Sequence, residues 1–475
     1  MKRRDTLSLA LAWASASAWG QVPSAVLPDA VQQALRQAQL PASALALWCA
    51  PVQGGEPRLA WRAQAPHNPA SLAKLATTWM ALTQLGPGWR WRTPVWLDGR
   101  VDAARGVLKG DLVIQGRGDP SLVLERLWLL LRRVQQLGVR EIDGDLVLDS
   151  SAFAPEPQSP ADFDGEAWSP GNVQPDALLL NFKSHTLAIR PDAEAGVAWV
   201  RADTGLPPLL QVPLRPGPCR DPRGALRANW VESPGQPAPL HLAGSLPAAC
   251  GPQQWPLADA DPATYNARLL AQVWRELGGQ WRGQVRSGPA PTTPPSFEWS
   301  SPALAEVVRD INKHSNNLMA EQLALTLAWE AGDRPATRAA ARQRLAAWLQ
   351  ARLGWAEGSF VLDNGSGLSR QAQLSAAQLG QLLQAAWQSP VMPEFAASLP
   401  LAGVDGTLSR DPTRFGGAQA RAHLKTGSLR DVAAVAGYVQ AQDGQRWALV
   451  AMLQHPQARS GRGVLDAAVR WAAGA

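Results

Sequence analysis

Two parts of this 475-residue chain that combine helix and strand patterns are separated by a long stretch of different character, from about residue 93 to 295. The stretch contains short strand patterns, one periodic helix at 122–137, and long proline- and glycine-rich segments such as 206–252. A compositional change of this kind indicates an insertion. Because the chain is also too long for one ordinary domain, we predict one or two inserted small domains that are β-rich with little helix.

The parts on either side of the insertion predict one α/β domain. Before it, residues 44–62 indicate two strands joined by a turn, and a helix follows from Ser71. After it, the predicted elements are helices at 302–312, 317–330, 336–353 and 375–388, strands at 422–426, 432–440 and 447–453, and a terminal helix from near Gly463. Helices enclosed between strands in this way predict a sheet that is built from both ends of the chain.

Lysine is scarce in this chain, since only six of its 45 basic residues are lysine. Arginine stays protonated in proteins, whereas a buried lysine can lose its proton and act as a base. Three of the six lysines lie in or beside short motifs that contain serine or threonine. These motifs are Ser71-Leu72-Ala73-Lys74, Ser315-Asn316-Asn317 just after Lys313, and Lys425-Thr426-Gly427. This distribution indicates serine acyl-transfer chemistry that depends on lysine.

The first motif has a geometric basis. Residues three apart share a helix face, so Lys74 can reach the hydroxyl of Ser71. The start of a helix adds free N–H groups and partial positive charge where an oxyanion develops. A serine hydroxyl is a weak nucleophile until a neighbouring base takes its proton, and a desolvated lysine is such a base. By itself, however, the pattern is weak, because it recurs by chance in chains of this size.

The other two motifs each have a structural alternative. Ser315-Asn316-Asn317 fits a turn between helices in which Asn317 acts as the cap, and this role is compatible with presenting a hydroxyl and an amide to a cleft. Lys425-Thr426-Gly427 ends a predicted strand, where the cation and the hydroxyl suit a substrate carboxylate and glycine permits close approach. The alternative for this tripeptide is an exposed strand end.

In this order, the three motifs resemble the signature of penicillin-binding proteins and class A β-lactamases. Five segments extend the similarity to the class C low-molecular-mass penicillin-binding proteins, which are serine peptidases with D-alanyl-D-alanine carboxypeptidase and endopeptidase activity. The segments are 118–121, 301–304, 312–321, 363–370 and 401–408. The resemblance implies a penicillin-recognising serine transpeptidase-like (β-lactamase-like) fold. Its parts would be residues 21–92 and 296–475, with two nested β-rich domains inserted at 93–295.

The resemblance also implies roles for the catalytic residues. Ser71 would be the acylated nucleophile and Lys74 its general base. Ser315, helped by Lys425, would relay a proton to the leaving group, and Asn317 would hold the substrate amide. The substrates and ligands implied are peptidoglycan stem peptides and β-lactams, and no cofactor is implied.

Substrate-binding residues follow in the same way. Thr426 would contact the terminal carboxylate beside Gly427, and the N–H groups of Ser71 and Ser428 would form the oxyanion hole. Family members that cut diaminopimelate-containing peptides also have an arginine near the side-chain pocket and an acidic residue from the insertion. In this chain Arg370 matches the arginine. Asp164 is the first choice for the acid, with Asp162 or a purely structural aspartate as alternatives.

Two other functions are less consistent with the sequence. A class C β-lactamase would carry Tyr-x-Asn as its second motif, and neither Tyr265 nor Tyr438 begins one. A class A β-lactamase would be much shorter and would carry a Glu-x-x-Leu-Asn loop, which this chain lacks. A non-catalytic cell-wall binding protein would not need the two motif lysines, Lys74 and Lys425.

The N-terminus predicts export. A basic start at 1–4, an apolar run at 7–20 and small residues at its end describe a secretory signal peptide over residues 1–20. The alternative is a membrane anchor, but the run is shorter than the roughly 20 residues that span a bilayer. No later segment is long and apolar enough to span one, so we predict a periplasmic or otherwise exported protein.

The cysteines and the net charge fit that prediction. Cys219 and Cys250 can form a disulfide in an oxidising compartment, and Cys49, which ends an apolar run, is expected to be an unpaired core thiol. No cysteine or histidine pair has the spacing of a zinc site, so we predict no metal. The net charge of +6 suits an anionic partner such as a cell-wall polymer, or simply a mildly basic surface. Export argues against a nucleic-acid role.

Overall fold

The structure is a computed structural model that describes residues 26–154, 158–204, 210–221, 224, 226–230, 239–409 and 411–474. The predicted signal peptide lies outside the described residues. Within them the α-helices are α1 Asp29–Gln37, α2 Lys74–Leu85, α3 Leu124–Gln136, α4 Pro262–Glu276, α5 Leu304–His314, α6 Asn317–Glu330, α7 Arg338–Leu353, α8 Ala376–Trp387, α9 Met392–Ser398 and α10 Arg462–Ala473. None of these helices is both long and apolar enough to span a membrane.

The strands of the same residues complete the element order. They are β1 Leu45–Pro51, β2 Leu59–Trp61, β3 Pro66–His67, β4 Arg92–Asp102, β5 Val107–Gln115, β6 Glu141–Ile142, β7 Leu146–Asp149, β8 Ser184–Asp192, β9 Val197–Ala202, β10 Leu210–Arg215, β11 Leu226–Trp230, β12 Leu240–Gly244, β13 Leu246–Pro247, β14 Gln253–Ala258, β15 Gln280–Trp281, β16 Val285–Ser287, β17 Phe297–Ser300, β18 Leu374–Ser375, β19 Ala422–Ser428, β20 Val432–Gln440 and β21 Arg446–Gln454.

A five-stranded antiparallel sheet, in the order β19-β20-β21-β1-β2, is built from both ends of the chain, as predicted. Successive side chains of a strand point to opposite faces. Ala46 and Trp48 therefore pack with α2 and α8 on one face, while Leu47 and Cys49 pack with α1 and α10 on the other. Cys49 is buried and unpaired, as expected, and burial raises the pKa of its thiol to about 12.

Among the described residues, the stretch between the two parts of this sheet contains two larger sheets and the two-stranded sheet β11-β12. The seven strands β4–β7 and β15–β17 form one, and α3 and α4 cover it through a common apolar cluster. Strands β8, β9, β10, β13 and β14 form the other, which is enclosed in chain order by the first. The Cys219–Cys250 disulfide is present. The domain limits at 93 and 295 stay predictions. Strand β17, which follows the second limit, pairs with β4, which begins at the first limit.

Three helices, α1, α4 and α9, were not predicted from the sequence. One of them, α4, corrects the prediction for the inserted stretch. Helix α4 is a second helix in the inserted stretch, where one helix was predicted. Its N-cap is Asp261, whose side chain accepts a hydrogen bond from the Thr264 N–H at 3.3 Å, and Pro262 opens its first turn. The others, α1 and α9, are short. The short strands β3 and β18 were also not predicted. The other helices and strands of the main domain lie within three residues of the predicted limits.

The active-site motifs come together because three helices and one sheet edge meet. Helices α2, α5 and α6 share one apolar cluster, and β19 is the edge strand of the five-stranded sheet beside them. The three motifs lie at the start of α2, at the joint of α5 and α6, and at the end of β19. Residues hundreds of positions apart in sequence are thereby held within hydrogen-bonding distance.

Candidate active site

Ser71 lies in a tight helical turn, Ala70–Ala73, that continues directly into α2. Ala70 has a φ of +46°, a strained conformation for a residue other than glycine. Its carbonyl is packed against Gly367, where an added Cβ would lie 1.8 Å from the Ala70 oxygen. Gly367 therefore cannot carry a side chain without displacing the backbone that holds the candidate nucleophile.

Lys74 connects the first two motifs. Its side chain is fully buried, and its Nζ lies 3.0 Å from Ser71 Oγ, 2.6 Å from Asn317 Oδ1 and 2.6 Å from the Ser366 carbonyl oxygen. Two of these atoms, the amide oxygen and the carbonyl oxygen, can only accept hydrogen bonds. They accept the two protons of the neutral Lys74 amine. The lone pair of Nζ is then directed at the Ser71 hydroxyl.

The pKa of Lys74 is held well below its ordinary value. The largest cause is burial, which disfavours the charged amine, and the charge of Lys425 acts in the same direction. Glu321 on α6 opposes both by attracting the ammonium form. The Glu321 carboxylate accepts hydrogen bonds from Asn364 Nδ2 at 3.0 Å and Ser366 Oγ at 3.2 Å. Its own pKa is raised, mainly by burial. The site therefore favours a lysine that is neutral and able to accept a proton.

The second motif is at the joint between α5 and α6. Ser315 ends α5 with a left-handed backbone conformation, which turns the chain into the next helix. Asn316, not Asn317, caps α6, because its side chain accepts from the Met319 N–H at 3.1 Å. The suggested capping role thus belongs to the neighbouring residue, and the Asn317 amide is left to contact Lys74.

Lys425 joins the third motif to the second. Its side chain is fully buried, and its Nζ lies 2.8 Å from Ser315 Oγ and 2.8 Å from the Thr426 carbonyl oxygen. Burial lowers the pKa of Lys425 to about 7. The hydroxyl of Thr426 lies 2.9 Å from that of Thr407. Two lysines with lowered pKa values therefore flank the candidate hydroxyls, Lys74 at Ser71 and Lys425 at Ser315.

Gly427 lets the sheet edge approach the candidate nucleophile. A Cβ at this position would lie 2.8 Å from the Pro69 carbonyl oxygen and 3.3 Å from the Ala70 Cβ. The first of these distances is shorter than a real Cβ contact, so glycine allows closer packing here than another residue would. The end of β19, with Ser428, is thereby placed against the segment that carries Ser71.

Lys313, for which sequence reasoning gave no role, has a structural one. Its Nζ donates to the Asp405 carboxylate at 2.6 Å and to the Leu399 carbonyl oxygen at 2.7 Å. Asp405 also accepts from the Leu401 N–H, and these bonds lower the pKa of its carboxyl against the effect of burial. The pair fixes the loop that carries Thr407 to the end of α5.

Arg370 lines a cavity of about 340 Å³, and Asp162 lines the same cavity. The guanidinium of Arg370 stacks on Phe163 at 4.5 Å and lies 3.7 Å from the Asp431 carboxylate. Asp164 is not among the lining residues. Its carboxylate instead accepts hydrogen bonds from Asn172 Nδ2 at 2.8 Å and from the Glu166 N–H. Asp162 therefore shares this cavity with Arg370, whereas Asp164 is bonded within its own loop. The choice between them as the substrate-binding acid stays a prediction.

Sequence reasoning missed three contributors to the site: Ser366, Glu321 and Thr407. All three lie in the segments 312–321, 363–370 and 401–408 that carry the family resemblance. The signal was therefore present, but nothing in the sequence shows which atoms of those segments touch a lysine. Among the described residues, no group of three or more histidine, cysteine, aspartate or glutamate side chains is arranged to hold a metal ion. The absence of a cofactor stays a prediction.

This arrangement has the parts that acyl transfer requires. A hydroxyl contacts a buried amine of lowered pKa, a second hydroxyl contacts a second such amine, and a threonine hydroxyl lies at the sheet edge. The fold and site together define an active-site serine enzyme of the penicillin-recognising class.

Comparison with known proteins identifies the family. The D-Ala-D-Ala carboxypeptidase 3 (S13) family matches residues 27–475, and the chain belongs to it. A D-alanyl-D-alanine carboxypeptidase from Actinomadura is 29% identical over 399 residues, which cover 79% of this chain and 71% of the relative. The D-alanyl-D-alanine carboxypeptidase DacB of Haemophilus influenzae is 24% identical over 396 residues, covering 80% of this chain and 79% of that protein. The predicted family is confirmed.

Solved structures confirm the fold. The crystal structure of penicillin binding protein 4 (dacB) from Haemophilus influenzae has a TM-score of 0.73 at 21% identity, covering 93% of this chain and 99% of that one. A predatory endopeptidase from Bdellovibrio bacteriovorus has a TM-score of 0.53 at 17% identity, covering 90% of each chain. The similarity extends across the inserted sheets as well as the main domain.

Proposed function

We propose that this enzyme cleaves the D-alanyl-D-alanine type of amide bond in peptidoglycan stem peptides through an acyl-enzyme on Ser71. The observation that carries the proposal is the buried Lys74 amine, 3.0 Å from the Ser71 hydroxyl and with a pKa well below the ordinary lysine value. A neutral amine at this distance is a general base for the serine.

In the acylation step, Ser71 Oγ attacks the carbonyl carbon of the scissile amide and its proton passes to Lys74 Nζ. The oxyanion is stabilised by the N–H groups of Ser71 and Ser428. The C–N bond then breaks, and the leaving nitrogen takes a proton through Ser315, which contacts Lys425 at 2.8 Å. Water afterwards attacks the ester carbon and gives up a proton, which replaces the one lost through Ser315 and Lys425. The bond to Ser71 Oγ breaks, Ser71 takes back the proton held by Lys74, and the shortened peptide leaves with a new carboxyl group.

The remaining residues of the site orient the substrate. The Thr426 hydroxyl, held by Thr407 at 2.9 Å, binds the carboxylate of the terminal D-alanine. The Asn317 side chain holds the substrate amide. Arg370 and Asp162 line one cavity, where an arginine and a carboxylate suit the carboxylate and the ammonium at the end of a diaminopimelate side chain.

The setting proposed for this reaction is the periplasm or another exported compartment. The Cys219–Cys250 disulfide supports it, since disulfides persist in oxidising compartments. β-Lactams are proposed as a second class of ligand. One similar structure, penicillin binding protein 4 of Haemophilus influenzae, is complexed with a β-lactam.

The test is covalent labelling by a fluorescent penicillin, with Ser71→Ala as the control. We expect the purified protein to take up label and the variant to take up none. Equal absence of label from both would overturn the assignment of Ser71. Release of D-alanine from a pentapeptide, measured beside cleavage of cross-linked muropeptides, then separates carboxypeptidase from endopeptidase activity.

A further inference from the structure

A cavity of about 570 Å³ adjoins the end of strand β19 and reaches the start of helix α10. Thr426, Gly427 and Ser428 line it from β19, and Arg462 and Leu465 line it from α10. Small-molecule sites typically have volumes of about 300–1,000 Å³. The cavity therefore has room for far more than the single alanine that a carboxypeptidase releases.

Positive charge dominates the lining of this cavity. Lys313, Arg414 and Arg462 line it, together with the single carboxylate of Asp411. The Asp411 carboxylate is held by its own turn, because it accepts from the Thr413 N–H at 3.1 Å and from the Thr413 hydroxyl at 2.8 Å. The lining thus favours an anionic occupant.

The three cations differ in how they are bound. Lys313 is paired with Asp405 at 2.6 Å, and Arg414 is paired with Asp466 at 2.7 Å. The charges of Lys313 and Arg414 are therefore held in place and largely neutralised by these two carboxylates. Arg462 is exposed and takes part in no ion pair among the described residues. Among the described lysines and arginines of this lining, Arg462 is the one whose charge is left available to a ligand carboxylate.

The position of Arg462 indicates which carboxylate it meets. In the proposed reaction, the Thr426 hydroxyl binds the carboxylate next to the scissile bond. Arg462 lines the same cavity from a different element, so it suits a second anionic group that lies further along the leaving group.

We propose that this cavity binds leaving groups that are longer than alanine and carry a second carboxylate, and that Arg462 pairs with that carboxylate. The inference rests on the proposed function, because it takes Thr426 as the site of the first carboxylate. It makes Arg462 a determinant of specificity between short and long leaving groups. A leaving peptide from a cross-linked stem has this chemistry, whereas free D-alanine has only one carboxylate.

The test compares two substrates in three proteins. The proteins are the wild type, Arg462→Ala and Arg459→Ala, where Arg459 is exposed three residues earlier and does not line the cavity. The substrates are a pentapeptide ending in D-Ala-D-Ala and a cross-linked muropeptide dimer. We expect the ratio of kcat/KM for the dimer to kcat/KM for the pentapeptide to fall roughly threefold to tenfold in Arg462→Ala. In Arg459→Ala the ratio should match the wild type.

A charge-reversal variant extends the test. Arg462→Glu should lower the ratio further than Arg462→Ala, because it places like charges together. An unchanged ratio in both Arg462 variants, or a wild type that labels with penicillin but cleaves no dimer, would overturn the inference. Failure of the proposed function is distinguishable, since the wild type would then take up no fluorescent penicillin.

Discussion

The lysines of the site and the arginines of its cavities lie in opposite environments. Lys74 and Lys425 are fully buried and contact serine hydroxyls. Arg370 has 46% of its side chain exposed and Arg462 is also exposed. Each lines a cavity, and the cavity of Arg462 is also lined by Thr426 and Gly427. Proton transfer needs an amine whose charge can be removed by burial, whereas recognition of a charged substrate needs a cation that keeps its charge in water.

This difference in environment explains part of the scarcity of lysine in the chain. A guanidinium at position 74 or 425 would stay protonated and would need more room than these buried positions give. A third buried lysine, Lys313, is paired with Asp405 and fixes a loop. Arg370 and Arg462, whose charges stay in contact with water, are both arginines.

The largest effect is expected from Lys74→Arg, which tests whether a removable proton is required. Arginine keeps a positive charge at position 74 but cannot act as a base. We expect the acylation rate by fluorescent penicillin to fall roughly 10²- to 10⁴-fold, the usual contribution of general-base catalysis. Lys109→Arg, at an exposed position of β5, is the control. A rate within tenfold of the wild type would remove Lys74 from the role of base.

A smaller effect is expected from a substitution in the cavity that Arg370 lines. Two nearby aspartates, Asp162 and Asp164, allow a matched comparison. Asp162→Asn should lower kcat/KM for diaminopimelate-containing peptides by about tenfold, the equivalent of about 1.4 kcal/mol. Asp164→Asn is the matched control, since Asp164 holds Asn172 and does not line the cavity. The opposite order of effects would identify Asp164 as the substrate-binding acid.

A shift in pH dependence is expected from Glu321→Gln. Glu321 raises the pKa of Lys74 against the effects of burial and Lys425. Without that charge the pKa of Lys74 falls further, so the base is neutral at lower pH. The acidic limb of the acylation rate should therefore move to lower pH. Glu330→Gln, exposed on the same helix, should leave it in place. A rate that falls equally at every pH would indicate that Glu321 acts only through structure.

The smallest effect on catalysis is expected from the Cys219→Ser and Cys250→Ser double variant. The disulfide closes a loop over a separation of 31 residues, and losing it should destabilise the inserted sheet by about 3–4 kcal/mol. Urea unfolding should show an earlier transition, while penicillin labelling stays at the wild-type rate. A parallel loss of labelling would show that the inserted region supports the active site.

Much of the main domain was predictable from sequence, because its helices and strands have regular apolar periods and clear ends. Strand β20 and helix α6 match their predicted limits. The inserted stretch was harder. Helix α4 follows a proline- and glycine-rich region that obscured it, and the pairing of β16 and β17 with strands far earlier in the chain has no local signal.

A serine, two lysines and a threonine, in an order that indicates one family, were enough to predict the chemistry of this protein from its sequence. How those groups act depends on the folded chain. The low pKa of Lys74 results from burial and from Lys425, which is brought beside it from a distant part of the chain. The same folding brings Asp162 into one cavity with Arg370, and it leaves Arg462 unpaired among the described residues. Desolvation and charge pairing depend on what surrounds a residue in space, and a linear sequence does not specify those surroundings.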